Sequence, residues 1–270
     1  MKKIKLISIL SLGMILLFAA CKKEEKKFDT PPLVVIQPIT KYIVDDEYQK
    51  FTYSQDKLSN IEVGTVGGSA ETTVDIKYEG DKLIEMIVVE ANDTVGKLSV
   101  LSHNSFDLPK QVKVFSKMGT DFVPTSVFKY TYNGNLLIKS ELYEIESNQE
   151  VLDEKFEYEY SDENVVKKTM FKVENGSETV YRVMKYSYDD KMNPAASLGL
   201  IEYNGESFVQ YMNLMGLHNY VKLTTEDAAG NVDDIRSHNK AFEYDGSDFP
   251  TKCIMTSFDG NEVVTIKYEY

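Results

Sequence analysis

The residues that could do chemistry are three histidines, one cysteine in the body of the chain and many carboxylates. His103, His218 and His238 stand far apart. None falls in an HExxH spacing, where two imidazoles on one helix face hold zinc while the Glu acts as base. No Gly-x-Ser-x-Gly elbow offers a serine nucleophile. Cys253 lies in the apolar run Cys253-Ile254-Met255, the setting of an inert packed thiol. Asp and Glu together number 43, so dense a supply that no pair stands out as a glycosidase dyad. Asp245 to Asp248 and Asp259 to Glu262 could hold calcium weakly, but neither follows the EF-hand pattern and turn chemistry accounts for both. His238 follows Asp233-Asp234; a solvated turn is expected there rather than a metal cluster. No catalytic residue, no metal site and no cofactor is expected.

One stretch breaks the pattern of the rest. Asn193 to Tyr220 brings Pro194, Ala195-Ala196, Met212, Met215 and His218. Methionine-rich surfaces adapt to varied partners. Tyr211, Met212, Met215 and His218 are therefore the candidate ligand-binding residues. The competing expectation is that this stretch fills the core or lids an open end of the fold.

The elements that would position these side chains are strands. Turn signals recur at intervals of mostly 12 to 15 residues, among them Gly67-Gly68, Glu79-Gly80-Asp81, Asn133-Gly134, Asn175-Gly176, Asp189-Asp190, Asp245-Gly246 and Asp259-Gly260. Such dipeptides accept the positive φ of two-residue hairpin turns. Between turns the chain alternates with period two. Phe156, Tyr158 and Tyr160 take one face and Glu157 and Glu159 the other; helical spacing would not separate them in this way. The expected fold is all-β: one long antiparallel meander of about fifteen strands, rolled into a curved sheet or barrel-like roll. Its repeat is a hairpin of 25 to 29 residues. An aromatic-x-Tyr pair comes first, then a polar turn, then an apolar residue five positions after the Tyr. Tyr53 pairs in this way with Leu58, Tyr78 with Leu83, Tyr132 with Leu137, Tyr160 with Val165 and Tyr244 with Phe249. His103 with Leu108 is a variant, and Tyr188 with Asn193 a poor copy. The Tyr is expected to close the hairpin end with its hydroxyl in water, and His103 to take the same structural role.

The N-terminus carries an address. Lys2, Lys3 and Lys5 precede an apolar run from Ile4 to Phe18, and Ala19-Ala20 stand before Cys21. This is a signal peptide over residues 1–20, too short to be a comfortable membrane span. Phe18-Ala19-Ala20-Cys21 resembles a lipobox, although Leu is usual where Phe18 stands. The resemblance implies lipidation of Cys21 and a membrane partner reached through the acyl chains. Lys22-Lys23-Glu24-Glu25 resembles the signal that sends Bacteroidetes lipoproteins to the outer face of the outer membrane. Residues 21–40 read as the lipidated Cys and a flexible tether, within which Asp29 to Pro38, with Pro31, Pro32 and Pro38, is a stiffer extended spacer, and 41–270 as a single β-repeat domain. The formal charge of −13 becomes three units more negative once Lys2, Lys3 and Lys5 leave, so nucleic acid is not an expected partner.

Tyr130-Thr131-Tyr132-Asn133-Gly134 and Phe242-Glu243-Tyr244-Asp245-Gly246 resemble the YD repeats of Rhs-type shell proteins, in degenerate form and without their Arg. With the lipobox, the chain resembles a Bacteroidetes lipoprotein family of unknown function with a porin-like β fold. The resemblance implies a rolled meander and no activity. The function expected is that of a non-enzymatic surface lipoprotein that binds an unidentified protein or glycan. Two alternatives remain: a carboxylate-based cell-surface hydrolase, and a transmembrane β-barrel, which strands of about ten alternating residues would also suit.

Overall fold

The computed structural model describes residues 38–194 and 216–270. Cys21 and the signal peptide, the tether before Pro38, and Tyr211, Met212 and Met215 lie outside the described residues. Sixteen strands form one closed antiparallel sheet, each paired with its sequence neighbours. They are β1 (Lys41–Val44), β2 (Glu47–Ser54), β3 (Lys57–Thr65), β4 (Ala70–Glu79), β5 (Lys82–Glu90), β6 (Asp93–His103), β7 (Pro109–Met118) and β8 (Asp121–Asn133). The second half comprises β9 (Leu136–Glu146), β10 (Gln149–Ser161), β11 (Asn164–Glu174), β12 (Ser177–Met192), β13 (His218–Asp227), β14 (His238–Tyr244), β15 (Pro250–Ser257) and β16 (Val263–Glu269). The meander is as expected, with one strand more. The extra strand is β1, which pairs with β16 and closes the barrel, Tyr42 opposite Tyr268 and Val44 opposite Ile266. Asp189-Asp190, expected as a turn, lies inside β12, the longest strand at 16 residues.

Several tight turns have the two-residue hairpin geometry, and at Asn133-Gly134 only Gly134 takes a positive φ. At Gln55-Asp56, Ala91-Asn92, Ser147-Asn148 and Asn175-Gly176 both central residues have positive φ, the geometry whose twist matches the flanking strands. The five-residue spacing of the repeat comes from a bulge. The register shifts immediately before Tyr53, Tyr78, Tyr132 and Tyr160, and each Tyr then faces its apolar partner directly. An extra residue after the partner, such as Ile138 or Val166, is left unpaired, as in a β-bulge. Where the turn is longer the partner moves on by one: His103 faces Pro109, not Leu108, and Tyr244 faces Pro250, not Phe249. Tyr188 faces Tyr220 of β13 rather than Asn193.

The repeated hydroxyls do not reach for water. Tyr132 donates to the Pro109 carbonyl at 2.7 Å, Tyr160 to Leu137 at 2.8 Å and Tyr188 to Val165 at 2.6 Å, each 23 residues back. Tyr53 donates to Ile39 at 2.8 Å and Tyr270 to Pro250 at 2.9 Å. His103 contacts the Leu83 carbonyl through Nε2 at 2.8 Å, so it takes the tyrosine's place in the series. In the bonds to Pro109, Leu137, Val165 and Pro250 the acceptor stands at the start of the second strand of the preceding hairpin, so a carbonyl near the bulge is satisfied. Tyr244 differs: its hydroxyl donates to the Asp189 carboxylate.

The two faces of the wall are opposite in character. Phe51, Ile61, Val74, Val88, Val112, Phe128 and Phe156 point inward and are at most 4 % exposed. Outward positions carry ion pairs along the strands: Lys50–Glu62 at 3.0 Å near the middle of β2 and β3, and Lys77–Glu85 at 2.8 Å, Lys167–Glu159 at 2.7 Å and Lys252–Glu243 at 2.8 Å nearer strand ends. The large apolar residues left exposed lie mainly at one rim. Met118, Phe122, Val151, Val232, Ile235 and Val263 flank the turns or loops that follow β7, β9, β13 and β15.

Candidate functional site

Fully buried side chains are most numerous along β2 to β11 and fewer along β12 to β16, and β1 and β14 carry none. Tyr42, Tyr220 and Tyr268 pack on the core yet remain only half-buried. In β14 the alternation puts His238, Lys240, Phe242 and Tyr244 on the inward face, since His238 is registered with Leu223 and Phe242 with Cys253. β13 and β14 are paired only at Lys222–Asn239 and Leu223–His238, so the seam between them is short.

Lys240 Nζ lies 3.6 Å from the centroid of the Tyr220 ring, close enough for a cation–π contact. His238 Nε2 is 3.4 Å from the Tyr220 hydroxyl, a long contact, and its ring centroid is 5.8 Å from that of Tyr220. Tyr186 meets Tyr220 edge-on at 5.8 Å, and Tyr42 meets Tyr268 at the same centroid distance. Among the described residues no hydrogen bond or ion pair holds the Lys240 ammonium. Burial pushes its pKa down to about 8, and the only titratable group whose charge acts on it is the Cys253 thiol. Burial lowers His238 to about 4, with the Lys240 charge adding to the effect. Burial raises Cys253 to about 11 against the opposing pull of Lys240. At neutral pH the cluster thus holds one ammonium, a neutral imidazole and a protonated thiol. A thiol in that state is a poor nucleophile. Burial likewise raises Tyr42, Tyr220 and Tyr268 above the usual phenol range.

A second polar group lines the packed side. Lys168 is buried with Nζ 4.7 Å from the Phe156 ring centroid, and Ser140 and Tyr158 share a hydrogen bond of 3.1 Å. Glu154, registered beside Leu142, accepts from the Tyr181 hydroxyl at 3.2 Å. Burial raises its pKa, and Asp153 is the only carboxylate whose charge adds to that rise. One raised carboxyl is half of a glycosidase pair.

His218, expected as a ligand contact, is oriented by Asn164. Asn164 Oδ1 accepts from its backbone N–H at 3.1 Å, and Asn164 Nδ2 lies 2.9 Å from His218 Nδ1. Gly216, at φ +100°, passes so close that a Cβ would meet the Asn164 Cα at 2.6 Å and the Glu163 carbonyl at 2.7 Å. Only glycine fits there. The acidic turns are filled by their own backbone. Asp245 Oδ1 accepts from Ser247 and Phe249 N–H, Asp259 Oδ1 accepts from Asn261 N–H, and Asp233 takes the Arg236 backbone N–H and guanidinium. Among the described residues no group of three or more His, Cys, Asp or Glu side chains is placed to hold a metal ion.

Lys240 and Tyr220 were missed in the sequence. The alternation His238-x-Lys240-x-Phe242-x-Tyr244 puts a lysine on an aromatic face, and that mismatch was the available signal.

In shape the barrel is similar to a porin-like protein from Bacteroides uniformis ATCC 8492. The TM-score is 0.55 at 10% identity, over 87% of this chain and 98% of that one. It is similar also to a porin-like protein from Bacteroides vulgatus ATCC 8482, with TM-score 0.52 and 15% identity over 87% of this chain and 99% of the other. At such identities the likeness defines the fold, a porin-like antiparallel barrel. No protein-family model and no curated protein sequence matches the chain.

Proposed function

We propose that the chain is a non-enzymatic barrel of the bacterial envelope, anchored through Cys21, that binds a small apolar ligand in its interior. The observation that carries this reading is the half-buried tyrosine wall of Tyr42, Tyr220 and Tyr268, set beside β1 and β14, the strands that carry no fully buried side chain. Ligand sites are concave and mostly apolar, with a few placed polar groups. Among the described residues no base accepts a hydrogen bond from the Cys253 thiol on the same wall, which favours binding over catalysis. The outward ion pairs count against a membrane-spanning role for the barrel. A lysine facing lipid at mid-depth costs about 2–4 kcal/mol, whereas an exposed ion pair returns about 1 kcal/mol or less. The exposed apolar residues form a rim rather than a belt at mid-height.

Two expected results test this. Nile red, a neutral probe, should bind the barrel unit Ile36–Tyr270 with stoichiometry near one and a blue-shifted emission; no saturable binding would sink the interior-site reading. Metabolic labelling with a clickable fatty acid should mark the wild-type chain and leave Cys21→Ser unlabelled. Equal labelling of both would remove Cys21 as the anchor.

A further inference from the structure

Lys240 poses a specific electrostatic problem. An ammonium inside a protein is normally paired with a carboxylate or neutralised, because desolvation disfavours its charge. Here Tyr220 offers its ring at 3.6 Å, and the nearby Cys253 thiol and His238 imidazole are both uncharged at neutral pH. No carboxylate among the described residues forms an ion pair with it. Asp189, on the neighbouring stretch of β12, already accepts from Tyr244. This wall therefore holds one ammonium that no carboxylate among the described residues pairs, next to apolar and tyrosine side chains.

We propose that this wall binds an apolar monocarboxylate, with the Lys240 ammonium as counter-ion to the head group and the Tyr220, Tyr42 and Tyr268 rings flanking the hydrocarbon beside it. The proposal rests on the interior-binding reading and adds the chemical class of the ligand. Charge selects the class. With His238 neutral, a single ammonium balances one negative charge, and a dianionic phosphate would leave a buried charge uncompensated. The wall carries no guanidinium fork among Tyr42, Tyr220, His238, Lys240, Cys253 and Tyr268, the geometry that bidentate phosphate binding favours. A sugar would leave the ammonium as it is. The Tyr220 hydroxyl, near His238, is a further donor on the same wall.

Every strand lies within the compact unit Ile36–Tyr270 and the sheet closes on itself, so this unit is used alone, free of detergent and lipid. Laurate and dodecanol share a chain length and differ in the head group. By calorimetry, laurate should bind at least about tenfold more tightly than dodecanol, a difference of about 1.4 kcal/mol. Lys240→Met, its fold checked by circular dichroism, should lose that preference and keep its affinity for dodecanol. Equal affinities for the two in the wild type, a preference that survives in Lys240→Met, or tighter binding of dodecyl phosphate than of laurate would each overturn the carboxylate assignment while the interior site stands. Failure of laurate, dodecanol and Nile red alike would remove the interior site, and the assignment with it.

Discussion

Truncation of Tyr132 to Ala is expected to lower stability by about 2–4 kcal/mol, in the range for buried aromatic deletions. The ring packs on the core, and the hydroxyl holds the Pro109 carbonyl at 2.7 Å. Two losses are combined there, and a milder substitution separates them. Tyr160→Phe keeps the ring and removes only the donor to Leu137, so it should cost about 1–2 kcal/mol, the penalty for leaving a carbonyl unpaired. Urea unfolding of both variants measures this. Midpoints equal to wild type would mean that the repeated tyrosines are surface groups, available to a ligand and irrelevant to the joints.

Substituting Met for Lys240 should have the opposite sign. The wild-type amine titrates near 8 in the fold and near 10.4 in the unfolded chain. The unfolded state therefore binds more protons between those values, and wild-type stability should rise with pH across that window. From pH 7 to pH 9 the gain should be about 1 kcal/mol. From about pH 8 the raised Cys253 thiol works against it, because the folded state then holds a proton that the unfolded state is losing. Lys240→Met removes the charge that the fold tolerates at neutral pH. It should stabilise the protein by about 2 kcal/mol at pH 7 and abolish the rise. Denaturant midpoints at pH 7, 8 and 9 for both proteins decide the matter. A variant no more stable than wild type, with the rise intact, would show that the ammonium is well solvated. Stabilisation on removing a residue would mark Lys240 as retained for something other than folding.

The sequence announced the hairpins more clearly than the joints between them. Asn133-Gly134 and Asn175-Gly176 declare turns by their own backbone preferences, and Phe156 to Tyr160 declares two faces by alternation. The bulges were hidden in the constant Tyr-to-apolar spacing of five, which looks like turn length but includes an unpaired residue. Leu108 and Phe249 were chosen as partners by that count, and longer Asx-type turns at Asn104 and Asp245 shift the pairing to Pro109 and Pro250. Asp189-Asp190 resembles a turn because two acidic residues usually seek solvent, yet Asp189 is engaged by Tyr244 across the wall. β1 escaped notice because its four residues are too few to show a period. The tyrosine wall was not legible at all. Tyr42, Tyr220, Lys240 and Tyr268 come from four strands that meet only when the barrel closes, and closure is a long-range event with no local signature.

The tyrosine-to-carbonyl bond has a consequence for how such a molecule could change over generations. Tyr132, Tyr160 and Tyr188 make the same bond at the same separation of 23 residues, so each hairpin meets its predecessor through the same joint, a strand ladder closed by one carbonyl at a bulge. A duplicated or deleted unit would meet a ready-made joint on both sides. Strand number sets the width of a barrel. Copy number in the gene thus becomes circumference in the protein, and the bore could be widened or narrowed two strands at a time without inventing a new contact.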